Sequence, residues 1–308
     1  MTDPGQPPLV TVVIVTYRSV GVVDAALRAL RRGREEGFLH CVVIDNQSPD
    51  GTADAVARDH PWVELIRSPQ NLGYGRGCNL GFERVTTPYV LFMNPDVVFA
   101  AGEIQRLVRF MEAHPSAGMA APATLVSGGQ YQHAGGVATP VSLCRATVGL
   151  SWSSSFRRVE PGLEPFMTDW LCGAIMLLPT AVVRELGGFD PRFFLYFEET
   201  DLCVRVRRSG RELWAVGEVT AQHAGGASAK ASNPALKPGG YLAEFYFPSR
   251  YYYLSKHHGR IAAFVTEAFQ LAVLSLRDFL RMILFKPSKQ ELRTRLKAPI
   301  FSPPPPFP

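Results

Sequence analysis

Between residues 9 and 122 the chain alternates short, continuously apolar runs with stretches of helical periodicity, and this alternation restricts the fold more than any other feature. LVTVVIV (9–15), HCVVI (40–44), VELIR (63–67) and YVLFM (89–93) are β-branched or aromatic and of strand length. Helix-like stretches lie beside them at Val22 to Leu30, Thr52 to His60, Gly75 to Arg84 and Glu103 to Ala113. In the first of these, Val22, Val23, Ala26, Leu27 and Leu30 share one face. Strands that are apolar on both sides and alternate with helices specify an α/β fold, a mostly parallel central sheet flanked by helices. Ligands of such sheets bind beyond the carboxyl ends of the strands. The residues after each strand therefore carry the functional information.

Four strand ends carry polar groups that a core has no use for. They are Thr16-Tyr17, then Asp45-Asn46 running into Asp50-Gly51-Thr52, then Asn71 to Asn79 with Arg76 among glycines, then Asn94-Pro95-Asp96. An aromatic face, amide and carboxylate acceptors, glycines with an arginine, and a lone carboxylate together suit a nucleoside diphosphate. Tyr17 can stack on a base, Asp45 or Asn46 can accept the N3–H of a pyrimidine, Arg76 can meet a phosphate and Asp96 can hold a divalent cation. Each has a plainer reading: a turn and helix cap for Asp50-Gly51-Thr52, a tight turn for the glycines, a cap for Asp96, core for Tyr17. Their coincidence at one sheet edge favours a binding site. A dinucleotide fingerprint is excluded, because Gly73-x-Gly75-x-x-Cys78 lacks the third glycine and follows the third strand instead of the first; no G-x-x-x-x-G-K-[ST] occurs either.

A second cluster, Glu198, Glu199 and Asp201, follows the apolar run Phe193 to Phe197. Three carboxylates so close need a helix N-terminus, a cation or a raised pKa to offset their repulsion. An acidic first turn followed by Arg205, Arg207 and Arg208 is also a normal helical charge arrangement. His223, in AQHAGG, is a candidate metal ligand or a structural histidine.

The rest of the chain reads less sharply. Residues 123–166 are rich in Gly, Ser and Pro with weak periodicity, and read as a long excursion on the acceptor side. WLCGAIMLL (170–178), a short helix after Pro179, the turn GGFDPRFF, a helix at 199–209 and a short strand ELWAV (212–216) follow. Residues 241–285 read as helical, interrupted by Pro248 and Gly259, before a Pro-rich tail. A composition of 46% hydrophobic and 19% charged residues excludes global disorder. The net charge of +5 and pI near 9.0, without a basic stripe, point to anionic small ligands or lipids and not to nucleic acid. Five scattered cysteines with no C-x-x-C pair argue against a disulfide framework and a zinc site, and a cytoplasmic setting is expected.

The ordered set TVVIVTY, VIDNQSPDGT, NLGYGRGCNLG, FMNPDV, DWLCGAIMLLP and GGFDPRFFLYFEETDLCVR, then His223, resembles glycosyltransferase family 2. It is most similar to the bacterial branch that uses dTDP-L-rhamnose, over about residues 9–258 including SRYYYLSKHHG. The resemblance implies the GT-A fold, with Thr16, Tyr17, Asp45 and Asn46 at the base and Arg76, Asn79 and Asn94 near the donor. It implies that Asp96, the last carboxylate of a D-x-D motif reduced here to Asn-Pro-Asp, binds Mg²⁺ or Mn²⁺ with His223. Trp170 and Gly173 would lie on the acceptor side. The Glu198-Glu199 pair matches a Glu-Asp motif whose second member is the general base, leaving Glu199, Glu198 and Asp201 as candidates. Glutamate in place of aspartate moves the carboxylate by roughly 1–1.5 Å, so a local adjustment is expected.

The implied activity is an inverting transfer of a sugar, L-rhamnose from dTDP-rhamnose, to a cell-surface glycan or lipid-linked acceptor. The alternatives are the same fold with another donor such as a UDP-hexose, or a catalytically silent nucleotide-sugar binder. The expected organisation is a disordered N-terminus (1–8), a nucleotide-sugar half (9–122), an acceptor and catalytic half (123–240), a helical extension (241–298) and the tail (299–308). The segment 261–297 is apolar and then basic; peripheral contact with the inner face of the plasma membrane, or packing on the domain or on a homodimer partner, both suit it.

Overall fold

Strand β1 (Val10–Thr16) is buried along its whole length, with Val10, Val12 and Ile14 in one hydrophobic layer and Val13 and Val15 in the other. A strand apolar on both faces belongs at the centre of a covered sheet, and β1 sits there, parallel to β2 (Leu39–Asp45) on one side and β4 (Tyr89–Met93) on the other. The chain is described here from a computed structural model covering residues 7–150, 156–224, 242–284 and 295. The expected tail, most of the expected N-terminal segment, residues 225–241 and nearly all of 285–298 lie outside the described residues.

The remaining strands extend the sheet in both directions. β3 (Glu64–Arg67) pairs parallel with β2 at one edge. Beyond β4 come β11 (Ile175–Pro179), β6 (Ala117–Val126), β12 (Glu212–His223) and β10 (Phe166–Thr168), with β5 (Val97–Val98) on β12 and β7 (Gln130–Tyr131) on β6. The sheet is therefore mixed: β3-β2-β1-β4 and β6-β12 are parallel, while β11 runs antiparallel to both its neighbours. Helices α1 (Val23–Glu35), α2 (Thr52–Asp59) and α4 (Ala101–Ala113) lie between strands of the first half, as does α3 (Tyr74–Phe82). Helices α6 (Thr180–Leu186) and α7 (Glu198–Arg208) follow β11.

Three expectations change. The stretch 123–166 holds β7, β8 (His133–Gly135), α5 (Pro140–Thr147) and β9 (Phe156–Arg158), which are too short to show a period. The strand expected at 212–216 runs on to His223, because register shifts after Val216 let it stay paired with β6. Pro248 does not interrupt α8 (Leu242–His258), whose break from α9 (Arg260–Ile283) comes at Gly259. Proline early in a helix costs one backbone bond, and here the rings of Tyr246 and Tyr253 pack on Phe197 across it.

Candidate active site

The donor edge is laced together by its own polar groups. Thr16 Oγ1 donates to Asp45 Oδ1 at 3.0 Å and the Ser48 amide to Asp45 Oδ2 at 2.9 Å, so the buried Asp45 carboxylate ties the ends of β1 and β2. Asn46 Nδ2 donates to the Gly73 carbonyl at 2.9 Å, while its buried Oδ1 has no hydrogen-bond partner among the described residues. Its own amide bonds the Thr16 carbonyl at 2.9 Å, and a buried acceptor left open at this strand end is what a base with an N–H would satisfy. Asp50 takes the Thr52 hydroxyl at 2.6 Å and the Val20 amide at 3.2 Å, and Gly51, not a side chain, occupies the N-cap of α2.

The third strand end is corrected in part. Gly77 and Gly81 seat α3 against Val15 and Ile44, where a Cβ would come within 2.7 and 2.4 Å of their side chains. Gly73, at φ +78°, passes so close to the Phe194 carbonyl that a Cβ would lie 2.2 Å from it. These glycines are explained by packing and not by a phosphate. The Asn79 amide exchanges two 2.8 Å bonds with the backbone of Phe189 and locks the turn before α7 to α3. Arg76 is half-buried with no ion pair among the described residues, and so remains a free cation at this edge.

Asp96 caps no helix, since α4 begins after Ala100 with no side-chain cap. It is buried, and its Oδ1 lies 3.1 Å from Nε2 of the half-buried His223 at the end of β12. That Nε2 makes no directed hydrogen bond, while Nδ1 lies 3.0 Å from the Gln132 side-chain nitrogen. An oxygen and an imidazole nitrogen converging in this way fit two ligand positions of a divalent cation, with Gln132 turning the ring behind them. If the Gln132 amide presents its oxygen, Nδ1–H donates to it and the Nε2 lone pair is free for a metal. The described residues hold no group of three or more His, Cys, Asp or Glu side chains fit for a metal, so the other ligands would come from a substrate and water. Asn94 sits beside this pair, its backbone bonded to Ala174 and Val97.

Across the edge, Tyr196 and Phe197 both take left-handed backbone angles, φ +69° and +66°, immediately before the acidic turn of α7. Such angles cost non-glycine residues of order 1–3 kcal/mol each and persist where the surroundings over-determine them. Here Tyr246 and Tyr253 pack on the two rings. The turn sends the three carboxylates to three environments. Glu199 lines a cleft of about 200 Å³ with Gly136, Leu143, Phe156, Trp170, Tyr196 and Tyr246. Its Oε1 accepts from Thr200 Oγ1 at 2.9 Å, which in turn accepts from Trp170 Nε1 at 3.0 Å. Burial raises its pKa against those bonds. Glu198 points inward toward α3; burial, then the charge of Glu199, push its pKa well above the carboxylate range, and its Oε2 has no hydrogen-bond partner among the described residues.

Asp201 is a different case, engaged by three cationic side chains. It is fully buried, and it meets Arg205 at 2.7 Å, His257 at 2.7 Å and Lys256 at 2.5 Å. Burial pushes its carboxyl up, but His257, Arg205 and Lys256 outweigh that and hold it below its usual value. Lys256 also reaches Asp190, which takes Arg192 and the Tyr252 hydroxyl, so this network clamps α8 onto α7. Gly173 packs directly on Glu199: a Cβ there would lie 2.9 Å from Glu199 Cβ and 3.0 Å from Cγ, atoms an aspartate would also carry, so the glycine gives an acidic side chain at 199 room to pass.

A family model described as glycosyl transferase family 2 matches residues 11–174, more than half of the chain. The chain belongs to glycosyl transferase family 2. It is 29% identical over 230 residues to an N-acetylglucosaminyl-diphospho-decaprenol L-rhamnosyltransferase of Mycobacterium tuberculosis, over 68% of this chain and 72% of that one. Two solved structures share its architecture. A Pyrobaculum calidifontis mannosyltransferase in complex with GDP-Man and Mn²⁺ superposes at TM-score 0.51 and 18% identity, over 96% of this chain and 86% of that one. GalNAc-T7 with UDP, GalNAc and Mn²⁺ superposes at TM-score 0.55 and 14% identity, over 84% of this chain and only 52% of that one. The family 2 fold is thus GT-A, and this family member is a glycosyltransferase.

Four residues next to the candidate groups were not singled out in the sequence. Arg18, at φ +53°, holds its guanidinium 5.5 Å from the Tyr17 ring centre. Gln132 lies in a stretch without periodicity, and Thr200 and Tyr196 are hidden inside the acidic and aromatic run. Arg18 directly follows Tyr17, and Tyr196 and Thr200 flank the carboxylates, whereas nothing around Gln132 in the sequence marks it.

Proposed function

We propose that this protein is an inverting glycosyltransferase that moves L-rhamnose from dTDP-rhamnose to a glycan or lipid-linked acceptor in cell-surface polysaccharide assembly. The observation that carries the reading is the placement of Glu199 in an aromatic cleft while the Asp96 and His223 pair converges at the strand ends of the same sheet. Glu199 takes the proton of an acceptor hydroxyl, whose oxygen bonds to the anomeric carbon as the bond to the diphosphate breaks on the opposite face. Trp170 and Gly173 bound the acceptor side; Thr200 aims the carboxylate. Tyr17 stacks on the pyrimidine, Asn46 Oδ1 accepts its N3–H within the frame set by Thr16 and Asp45, and Arg76 meets the diphosphate. When bound, Mg²⁺ or Mn²⁺ held by Asp96 and His223 supplies positive charge to the departing diphosphate. The name of the M. tuberculosis relative supports rhamnose as the sugar and a polyprenol-linked acceptor.

Calorimetric titration of dTDP, UDP, ADP and GDP, with and without Mn²⁺, tests the donor side. The expected result is pyrimidine preference and a metal enhancement that Asp96→Ala abolishes; equal binding of ADP or GDP would sink the base site. Transfer assayed from dTDP-rhamnose beside UDP-hexoses tests the sugar, and faster transfer from a UDP-hexose would displace rhamnose.

A further inference from the structure

The chemistry of Trp170 and Thr200 fixes which way the hydrogens between them point. An indole N–H donates and never accepts. Trp170 Nε1 lies 3.0 Å from Thr200 Oγ1, so the threonine oxygen is the acceptor there. Its own hydrogen is then left for Glu199 Oε1, 2.9 Å away, which as a carboxylate oxygen accepts. The chain runs one way, from Trp170 through Thr200 to Glu199. Thr200 is buried, which limits competition from water at both links.

Trp170 is itself held from a distant part of the chain. Its carbonyl accepts from the Gly135 amide at 3.2 Å, and the Asp169 amide donates to the Gly135 carbonyl at 3.2 Å. The rings of Trp170 and Phe156 meet at 80° with centres 6.1 Å apart. Gly135 and Phe156 are partners in the β8 and β9 pairing, so this small sheet fixes the indole that starts the chain.

We propose that Trp170 is a positioning residue for the base: through Thr200 it commits Oε1 of Glu199 to one hydrogen bond and leaves Oε2 to take the proton of the acceptor hydroxyl. The inference rests on Glu199 being the base, as proposed above. The last torsion of a glutamate is broad, so a carboxylate without a fixed donor samples many directions. A charge-assisted bond removes that freedom, and the indole behind the hydroxyl keeps the donor from turning away. The same bonds favour the ionised form. Burial raises the Glu199 pKa, while the Thr200 hydroxyl and the Trp170 indole act against it. The other titratable groups facing Glu199 are Glu198 and Cys203 on α7, Tyr196 before it, Tyr74 on α3, Cys172 before β11 and Tyr253 on α8. Burial pushes each of them up, so the thiols and phenols stay neutral in acid and only Glu198 titrates alongside Glu199.

The test is the pH profile of sugar transfer, with the carboxyl carbon shift of Glu199 as a second readout. Thr200→Val keeps the shape and loses the hydroxyl; Trp170→Phe keeps a ring against Phe156 and loses the N–H. Thr200→Val should lower kcat by roughly 10–100-fold with donor and acceptor KM within about threefold of wild type. It should also move the acid limb of kcat/KM to higher pH, because a bond to the charged form is gone. Thr200→Ser retains the hydroxyl and should restore both. Trp170→Phe should shift both in the same direction by less, since Thr200 still reaches Glu199. In ¹³C-glutamate-labelled protein the Glu199 carboxyl is the resonance missing from Glu199→Gln. It should titrate at higher pH in Thr200→Val than in wild type, with or without turnover, each variant melting as wild type does. Thr200→Ser behaving like Thr200→Val, or a Glu199 titration that neither Thr200→Val nor Trp170→Phe moves, would overturn the proposal. Two results separate it from the reading beneath it. Glu199→Gln transferring like wild type removes the base and this proposal with it. An inactive Glu199→Gln beside unshifted Thr200→Val and Trp170→Phe removes the positioning chain alone.

Discussion

The donor edge and the acidic turn of α7 are built by opposite means. At the donor edge nearly every polar group is satisfied by a neighbouring loop: Asp45 by Thr16 and Ser48, Asp50 by Thr52 and Val20, and Asn46 on its nitrogen side by Gly73. The acidic turn instead concentrates unlike environments within four residues. Glu198 is buried with an open oxygen, Glu199 lines a cleft, and Asp201 is encased in three cationic side chains. An ordered hydrogen-bond frame fixes where a ligand sits, whereas divergent burial separates acids of nearly equal chemistry into different protonation states. In the proposed reading the first region binds and the second reacts.

The largest expected effect separates the two regions. Glu199→Gln keeps size and the hydrogen bond to Thr200 but accepts no proton, so sugar transfer should fall by roughly 10²–10⁴ while donor affinity by calorimetry stays level. A matching loss of donor affinity would place Glu199 on the donor side and break the comparison.

Next comes Asp201. Asp201→Ala leaves Arg205, Lys256 and His257 facing one another, and should lower the unfolding free energy by about 3–5 kcal/mol in denaturant titration. Because the folded pKa of Asp201 is lowered, its contribution is present above the unfolded value of 3.8 and is lost as pH falls through the folded one. Glu198 and Glu199 act with the opposite sign. Their folded pKa values are raised, so the unfolded chain releases their protons first and stability declines as pH rises above 4.5. An Asp201→Ala variant that melts like wild type but no longer transfers sugar would return Asp201 to the chemistry.

A smaller effect is expected at the donor edge. Gln132→Leu removes the partner of His223 Nδ1, and should weaken Mn²⁺ affinity in the presence of dTDP by about 10–100-fold with the fold intact. Gln132→Glu should restore it, because a carboxylate accepts the Nδ1 proton at least as well; unchanged affinity in Gln132→Leu would make the contact incidental.

The legibility of the molecule divides along the same line. The parallel strands β1, β2 and β4 announce themselves because both faces of each are apolar, and the groups at their ends follow from that register. Chain order alone does not show that β11 enters antiparallel between β4 and β6, since its apolar run IMLL looks the same in either direction. At the site, the acidic run was visible but its partition was not. Which of Glu198, Glu199 and Asp201 faces a cleft depends on Lys256 and His257, more than fifty residues away, and on the left-handed pair Tyr196-Phe197. Asn79 was legible as an amide after a glycine loop, and only the fold reveals its bonds to Phe189. The inward turn of Glu267 in α9 was likewise hidden among the charged residues that interrupt its apolar sequence.

The pH dependence of sugar transfer separates the roles of the two adjacent glutamates. Burial and then the charge of Glu199 push the Glu198 carboxyl well above the usual carboxylate range, which favours its neutral, glutamine-like form. Glu198→Gln should therefore transfer sugar within about threefold of wild type. Both proteins should show the same acid limb in kcat/KM, displaced above the ordinary value of 4.5 by the burial of Glu199. A Glu198→Gln variant that loses transfer and its acid limb, beside a Glu199→Gln variant that keeps both, would contradict the account.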